Sequence, residues 1–337
     1  EVVNGSITGD VVVEQCYPAR RAFRLISSSV NTSSSIRANW QENPVDYEDN
    51  PRPGYGTHIT GVEPGSADAD VSQDGNNGFD YSPSGNPSLF QFDNINRQWN
   101  PVAETEPQTL GAGVPYRLMI RGDRSIDVTS NESPPTDTRL RTTGELFIGS
   151  NLQSNLSGDI DKLSIIGNPY QAQVDMHSVL TNSTNLSTTE YYIWDPTLGG
   201  STGRGAYVTI DLPSGNSSID PSEPDEPTSA NQYLQPMQAA FVRTVAGEGG
   251  ASINFQETDK NVNPAQTTTK SFSEKEYINV MLFDAGSYAE GNTPSDGLRI
   301  NFNDSYSITA KDDSPKLGNL DENLVRVEGN EYSAIER

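Results

Sequence analysis

Tyr116-Arg-Leu-Met-Ile-Arg-Gly-Asp-Arg-Ser125 sets apolar Tyr116, Leu118 and Ile120 in alternation with Arg117 and Met119, and then breaks at Gly122-Asp123. A period of two is the signature of a strand with one buried face, and Gly-Asp marks the turn that ends it. The same letters contain Arg-Gly-Asp, the tripeptide that integrins read on adhesive ligands. Recognition of that kind needs a presented loop tip, whereas this tripeptide falls at a strand exit. Asp123 is therefore expected to satisfy backbone amides in the turn, with Arg121 and Arg124 facing neighbouring carboxylates.

The pattern repeats along the chain. Short runs rich in β-branched and aromatic residues stand between Gly, Asn, Pro and Ser clusters: Asp10–Glu14, Ala22–Ile26, Gly144–Ile148, Leu163–Ile166, Tyr191–Trp194, Ala206–Ile210 and Ala239–Arg243. Long helical periodicity is missing, so the fold class is all-β: a large antiparallel β-sandwich over 1–258, a linker or long loop over 259–275, and a smaller jelly-roll-like or Ig-like segment over 276–337 that is short enough to be incomplete. One short helix is expected at Ser34–Gln41, capped by Ser33 or Ser34, with Ile36 and Trp40 on one face. Phe241-Val-Arg243 and Ser252–Phe255, joined across Gly247–Gly250, read as a hairpin. Strands resume at Tyr277–Phe283, Leu298–Phe302 and Tyr306–Ile308.

Composition narrows the partners. The 337 residues carry 22 Lys plus Arg against 46 Asp plus Glu, a net charge of −24. Such a surface repels phosphate backbones, so no nucleic-acid partner is expected, and clustered carboxylates favour hard cations such as Ca²⁺. No apolar run reaches the ~18 to 20 residues of a bilayer span, and Glu1-Val-Val-Asn-Gly5 lacks signal-peptide shape, so no transmembrane segment is expected and the chain reads as a soluble mature or excised piece. Cys16 is the one cysteine. Its place in a strand suggests a small buried filler.

Several stretches taken together resemble a known family. Gly5–Glu14, Ala22–Ile26 with Ser35–Gln41, Gly54–Gly61, Gly78-Phe-Asp80 with Pro87–Phe90, Tyr116–Arg124, Arg139–Gly144, Ile165–Tyr170, Tyr192–Pro196 and Gln238–Val242 form an ordered series. The series resembles the β-rich region that precedes the sorting domain in secreted and surface-attached proteins of Bacteroidota exported by the type IX system. Gly297–Phe302, Asp312–Leu317 and Glu331–Ile335 resemble the segment that follows it. The resemblance covers nearly the whole chain, although a member bound for export would carry further strands and a sorting signal beyond Arg337. It implies export and an extracellular or outer-surface location far more clearly than any chemistry, because its members include adhesins, filamentous surface proteins and appendages of polysaccharide-degrading enzymes.

Residues with catalytic chemistry are sparse. His58 and His177 stand in unrelated contexts without a zinc helix, a nucleophile elbow or a Cys-His signature, and Gly199–Gly205 lacks the Lys-Ser/Thr ending of a phosphate loop. Two carboxylates about 5 to 10 Å apart would suffice for glycoside hydrolysis, but sequence singles out no pair. The strongest local site is Asp68–Asp80. Asp70, Ser72 and Asp74 followed by Gly75 form the first half of an EF-hand-like loop, the twelfth position is Tyr81 rather than Glu, and Asp68 or Asp80 would complete a calcium shell. An Asx-rich surface turn is the rival reading. Asp304, Asp312 and Asp313 form a second acidic cluster. Trp40, Trp99, Tyr191 and Trp194 are candidates for stacking on sugars, with Trp99 and Trp194 the ones assigned to ligand binding; burial in the sandwich core is the alternative for each. Eight Asn-x-Ser/Thr sequons fit the chain's abundance of those residues.

These readings point to a non-enzymatic adhesion protein or fibre subunit of the cell surface, its calcium structural. Its partners would be an extracellular glycan or surface ligand, and further copies of itself joined through open sheet edges. The alternative is a carbohydrate-binding accessory module of a secreted polysaccharide-degrading enzyme.

Overall fold

The structure, a computed structural model, describes residues 7–62, 76–130, 132–198, 205–219, 228–246, 249–261, 276–282, 296–302, 314–315, 326–328 and 331–336. The chain divides into two compact units, 1–272 and 273–337. Both are all-β. The α-helices among the described residues, Ile36–Trp40 and Met176–Thr181, have five and six residues.

Three sheets stack in the first unit. A three-stranded sheet pairs Thr138–Leu146 with Asp10–Tyr17 on one side and Val30–Asn31 on the other. A four-stranded sheet runs Ala22–Ile26, Tyr116–Ile120, Leu89–Asp93 and Gln98–Pro101. A five-stranded sheet runs Ser217–Ile219, Ala206–Asp211, Glu190–Asp195, Ala239–Arg243 and Leu163–Gly167. Within these sheets every strand pairing is antiparallel.

Period-two alternation places the cores. Tyr116, Leu118 and Ile120 point to one side of the four-stranded sheet and bury with Tyr17, Ile26, Trp40, Leu89 and Leu140 against the three-stranded sheet. The opposite face supplies Leu25, Phe92 and Trp99, which meet Ile165, Tyr192, Trp194, Ala239 and Phe241 of the five-stranded sheet. That sheet's far side buries Ile166, Tyr191, Ile193, Val208, Ile210 and Val242 against Met176, Val179 and Leu180 of the second helix. The four- and five-stranded sheets are thus covered on both faces, and the sandwich has one layer more than two. Burial on this scale, at roughly 25 cal/mol per Å² of apolar surface, is the term that offsets chain entropy.

Local expectations fare well where short runs of apolar and β-branched residues mark the strands. Ala22–Ile26, Tyr116–Ile120 and Ala239–Arg243 are strands with the expected bounds. The helix forms with Ile36 and Trp40 both buried, but its cap is Ser35, whose hydroxyl accepts the Ala38 amide at 3.1 Å. Two expectations are overturned by pairing. Ala239–Arg243 and Ile253–Phe255 do not form a hairpin: Glu190–Asp195 and Leu163–Gly167 take both edges of the first, and Asn151–Gln153 takes the second. Cys16 is exposed, because Val13, Gln15 and Tyr17 occupy the inward positions of its strand and parity sends Cys16 outward.

The start of the stretch read as a linker, 259–261, is tied to the body of the first unit. Asp259 is buried, accepts the Ser178 hydroxyl at 2.6 Å and the Gln256 amide at 2.8 Å, and the Asn261 amide reaches the Gln173 carbonyl at 2.8 Å. The second unit is a sheet ordered Glu276–Leu282, Asp296–Phe302, Glu331–Glu336 and Ser314–Pro315, with Arg326–Glu328 also pairing Glu331–Glu336. Its Asp296–Phe302 and Glu331–Glu336 strands are parallel, an exception to the antiparallel rule of the first unit. Tyr306–Ile308 lies outside the described residues.

Candidate functional site

The Arg-Gly-Asp tripeptide is folded inward. Gly122 has φ of 152°, and a Cβ there would run into the backbone and hydroxyl of Thr136, so only glycine allows the approach. Asp123 accepts the Gly54 amide at 2.7 Å and the Thr136 hydroxyl at 2.9 Å, and it bonds the amide and hydroxyl of Ser125. Arg121 donates to the Ser130 carbonyl at 2.6 Å. Asp123 is 6% exposed and Arg124 2%. A buried carboxylate whose acceptors are taken by its own chain cannot be offered to a receptor, and integrin recognition is set aside on this geometry.

Arg124 closes a buried polar network. Its guanidinium grips Asp80 bidentately at 2.8 and 3.0 Å, while Nε and Nη2 donate to the carbonyls of Asp49 and Asp46 at 2.8 and 3.1 Å. Asp80 also accepts the Ile59 amide at 2.8 Å and the Gln41 side chain at 3.0 Å. Burial, the largest single influence, would raise the Asp80 carboxyl; the Arg124 charge, the nearby His58 and the hydrogen bonds from Arg124 and the Ile59 amide together outweigh it and hold the group below its ordinary range. His58 Nε2 is 3.1 Å from the Arg124 carbonyl, which can only accept, so the proton sits on Nε2 and Nδ1 faces the Asp80 carboxylate 3.8 Å away. Burial pushes the His58 pKa down, and the ring is neutral. The Arg124 guanidinium and the Asp80 carboxylate are committed to holding loops together, while His58 Nδ1 and Gln41 Oε1 are buried without a hydrogen bond; the arrangement reads as a structural lock.

That geometry removes Asp80 from the calcium shell. A cation would have to displace a bidentate guanidinium from a carboxylate with no exposed surface. Asp68, Asp70, Ser72 and Asp74 lie outside the described residues, as do Asp304, Asp312 and Asp313. Among the described residues no group of three or more His, Cys, Asp or Glu is arranged to hold a metal, and no helix is long and apolar enough to cross a membrane.

The two tryptophans assigned to ligand binding share one aromatic layer, between the four- and five-stranded sheets. Trp99 meets Phe92 edge-on at 5.0 Å between centroids and Phe241 at 6.2 Å. Trp194 packs on Tyr207 at 4.9 Å and donates its indole N–H to the Phe23 carbonyl at 2.9 Å. Tyr207 in turn meets Phe241 at 5.7 Å. Trp40 and Tyr191, by contrast, are fully buried core residues. Phe23, Phe90, Phe92, Trp99 and Trp194 are half-buried, and Tyr207 is 45% exposed, so the layer reaches solvent along one margin.

Arg117 stands among these rings. Its guanidinium carbon lies 4.5 Å from the centroids of Phe23 and Phe90 and 4.4 Å from that of Trp99. Ring faces attract the cation, yet they neutralise no charge. Its Nε is buried without a hydrogen bond, and among the described residues no carboxylate pairs with it. Burial lowers its pKa from the ordinary value, with the Tyr207 hydroxyl acting in the opposite sense. An uncompensated cation beside exposed ring surface is what an acidic, flat-faced ligand requires. Parity is the one signal that could have pointed to Arg117: between Tyr116 and Leu118 it had to lie on the second face of its strand.

No family model matches the chain, and no curated protein or solved structure matches it.

Proposed function

We propose that the chain is a non-enzymatic protein of the outer cell surface, exported by a type IX-like system, which binds extracellular glycans carrying carboxylates through the aromatic layer around Arg117. The observation that carries the reading is Arg117 itself, a cation held by three rings and, among the described residues, by no acid, in a protein of net charge −24. Trp99 and Tyr207 supply faces on which pyranose rings stack, and the guanidinium supplies a planar fork for a uronate carboxylate. The ordered motifs of the sequence and its acidic surface support display outside the cell. A calcium ion in the Asp68–Asp74 stretch belongs to the same proposal as a structural element. So does self-association through sheet edges.

A glycan array that includes neutral, sulfated and uronic-acid oligosaccharides tests the reading. Saturable binding confined to uronate-bearing glycans, lost in Trp99→Ala with an unchanged far-UV spectrum, is the expected result. Binding that ignores carboxylates, or no binding to any glycan, removes the ligand; turnover of a polysaccharide at enzyme-like rates removes the non-enzymatic role.

A further inference from the structure

A second uncompensated cation lies one strand away. Arg24, in Ala22–Ile26, is 3% exposed, and its Nε and Nη2 are buried without hydrogen bonds. Among the described residues it has no ion-pair partner. Beside it is a small cavity walled by Tyr17, Leu25, Trp194, Pro196 and Gln238, with about 10 Å³ open to the centre of a water molecule. That is room for one particle of roughly water size. Gln238 is fixed by its side-chain oxygen, which accepts the Gln235 amide at 3.0 Å, and its amide nitrogen has no partner among the described residues.

We propose that this cavity binds one monoatomic halide, chloride under physiological conditions, held by the Arg24 guanidinium and the Gln238 amide against the walls of Leu25 and Trp194. A buried guanidinium without a counter-charge is strongly unfavourable, and the nearest compensation is indirect. The Asp195 carboxylate is near enough to act on Arg24 electrostatically, but its oxygens accept from Thr197 and Thr228. Burial brings the guanidinium pKa down to about 10, and the like charge of Arg20 adds to that. A cavity of this size leaves room for a monoatomic ion or a water molecule rather than sulfate, phosphate or a sugar carboxylate, and the uncompensated guanidinium favours the anion. The site shares Leu25 and Trp194 with the aromatic layer but does not include Arg117, Trp99 or Tyr207, and its readout is separate from that of the glycan reading.

Thermal unfolding of the full chain is measured in sodium chloride and in sodium gluconate at equal ionic strength. The expected result is a Tm that rises roughly 2 to 4 °C for each tenfold increase of chloride above saturation and stays flat in gluconate, because a ligand bound only to the native state stabilises by mass action. Arg24→Met, which keeps length and removes charge, is expected to abolish the difference between the two salts. In wild-type crystals soaked in bromide, an anomalous peak beside Arg24 is expected, a readout that does not depend on the variant folding. Equal Tm in both salts, a chloride response that survives in Arg24→Met, or a cavity holding water alone in bromide overturns the proposal.

Discussion

Arg117 and Arg124 come from the same ten-residue stretch and meet opposite fates. Arg124 is sealed from solvent and fully compensated: two bonds to Asp80 and further bonds to loop carbonyls satisfy its fork. Arg117 is half-buried among rings, with no acid beside it among the described residues. The difference lies in what crosses the strand. Arg124 follows the turn and reaches loops that carry a carboxylate and free carbonyls; Arg117 sits mid-strand on a face where the neighbouring strands present Phe23, Phe90 and Trp99. Full compensation makes a rigid joint, and partial compensation leaves a cation with capacity for an outside partner.

The contrast breaks most readily at its compensated end. Asp80→Asn leaves the Arg124 guanidinium buried without its counter-charge and is expected to cost about 3 to 5 kcal/mol in urea unfolding. The paired change Asp80→Leu with Arg124→Met removes both charges together and is expected to recover a large part of that loss; a double variant as unstable as the single one would show that the lock works through shape rather than charge. Both single and double variants should leave glycan binding at Arg117 intact in whatever fraction folds.

Titration probes the same network. The folded-state pKa of His58 is depressed from its ordinary 6.5, so its neutral form contributes stability that is fully present above that value and is lost as pH falls toward the folded pKa. The slope expected below pH 6.5 is at most about 1.4 kcal/mol per pH unit. His58→Gln should flatten it. Asp80 adds a second window in the same sense: its contribution is present above the ordinary carboxylate value of 3.8 and is lost as pH falls through its lower folded value. An unfolding free energy that is independent of pH between 6.5 and 4.5 would contradict the neutral, buried imidazole.

The uncompensated end is expected to tolerate change. Arg117→Met exchanges a cation held by rings for an apolar chain of similar length and should cost only about 0.5 to 2 kcal/mol. A loss as large as that of Asp80→Asn would mean that Arg117 is a structural joint like Arg124.

Local pattern made the strands legible. Tyr116–Ile120 could be read from five residues because its period shows at every second position, whereas Ala22–Ile26, buried at four of its five positions, was legible as a short apolar run between breakers. Strand partners could not be read in this way. Ile253–Phe255 pairs with Asn151–Gln153 across some hundred residues, and the nearer Ala239–Arg243 was already enclosed on both edges. The same distance hid the Asp80–Arg124 pair, whose members are separated by 44 positions, and made Asp80 look like the end of an acidic calcium loop. Cys16 shows the smallest form of the problem, since the faces of Asp10–Tyr17 are decided by parity and one residue of shift inverts them. Trp99 and Trp194 were visible as aromatics, but their shared layer exists only once two sheets are stacked.

The central claim is that Arg117 recognises a carboxylate on a glycan. Calorimetric titration of a uronic-acid oligosaccharide into the wild type and into Arg117→Met, repeated with the carboxyl-reduced oligosaccharide, tests it most directly. The account predicts saturable binding of the acidic sugar by the wild type, weakened at least about tenfold both in Arg117→Met and on carboxyl reduction, as expected when a charge-assisted bond of about 1.5 to 3 kcal/mol is removed. Equal affinity of wild type and Arg117→Met for the acidic sugar would contradict it.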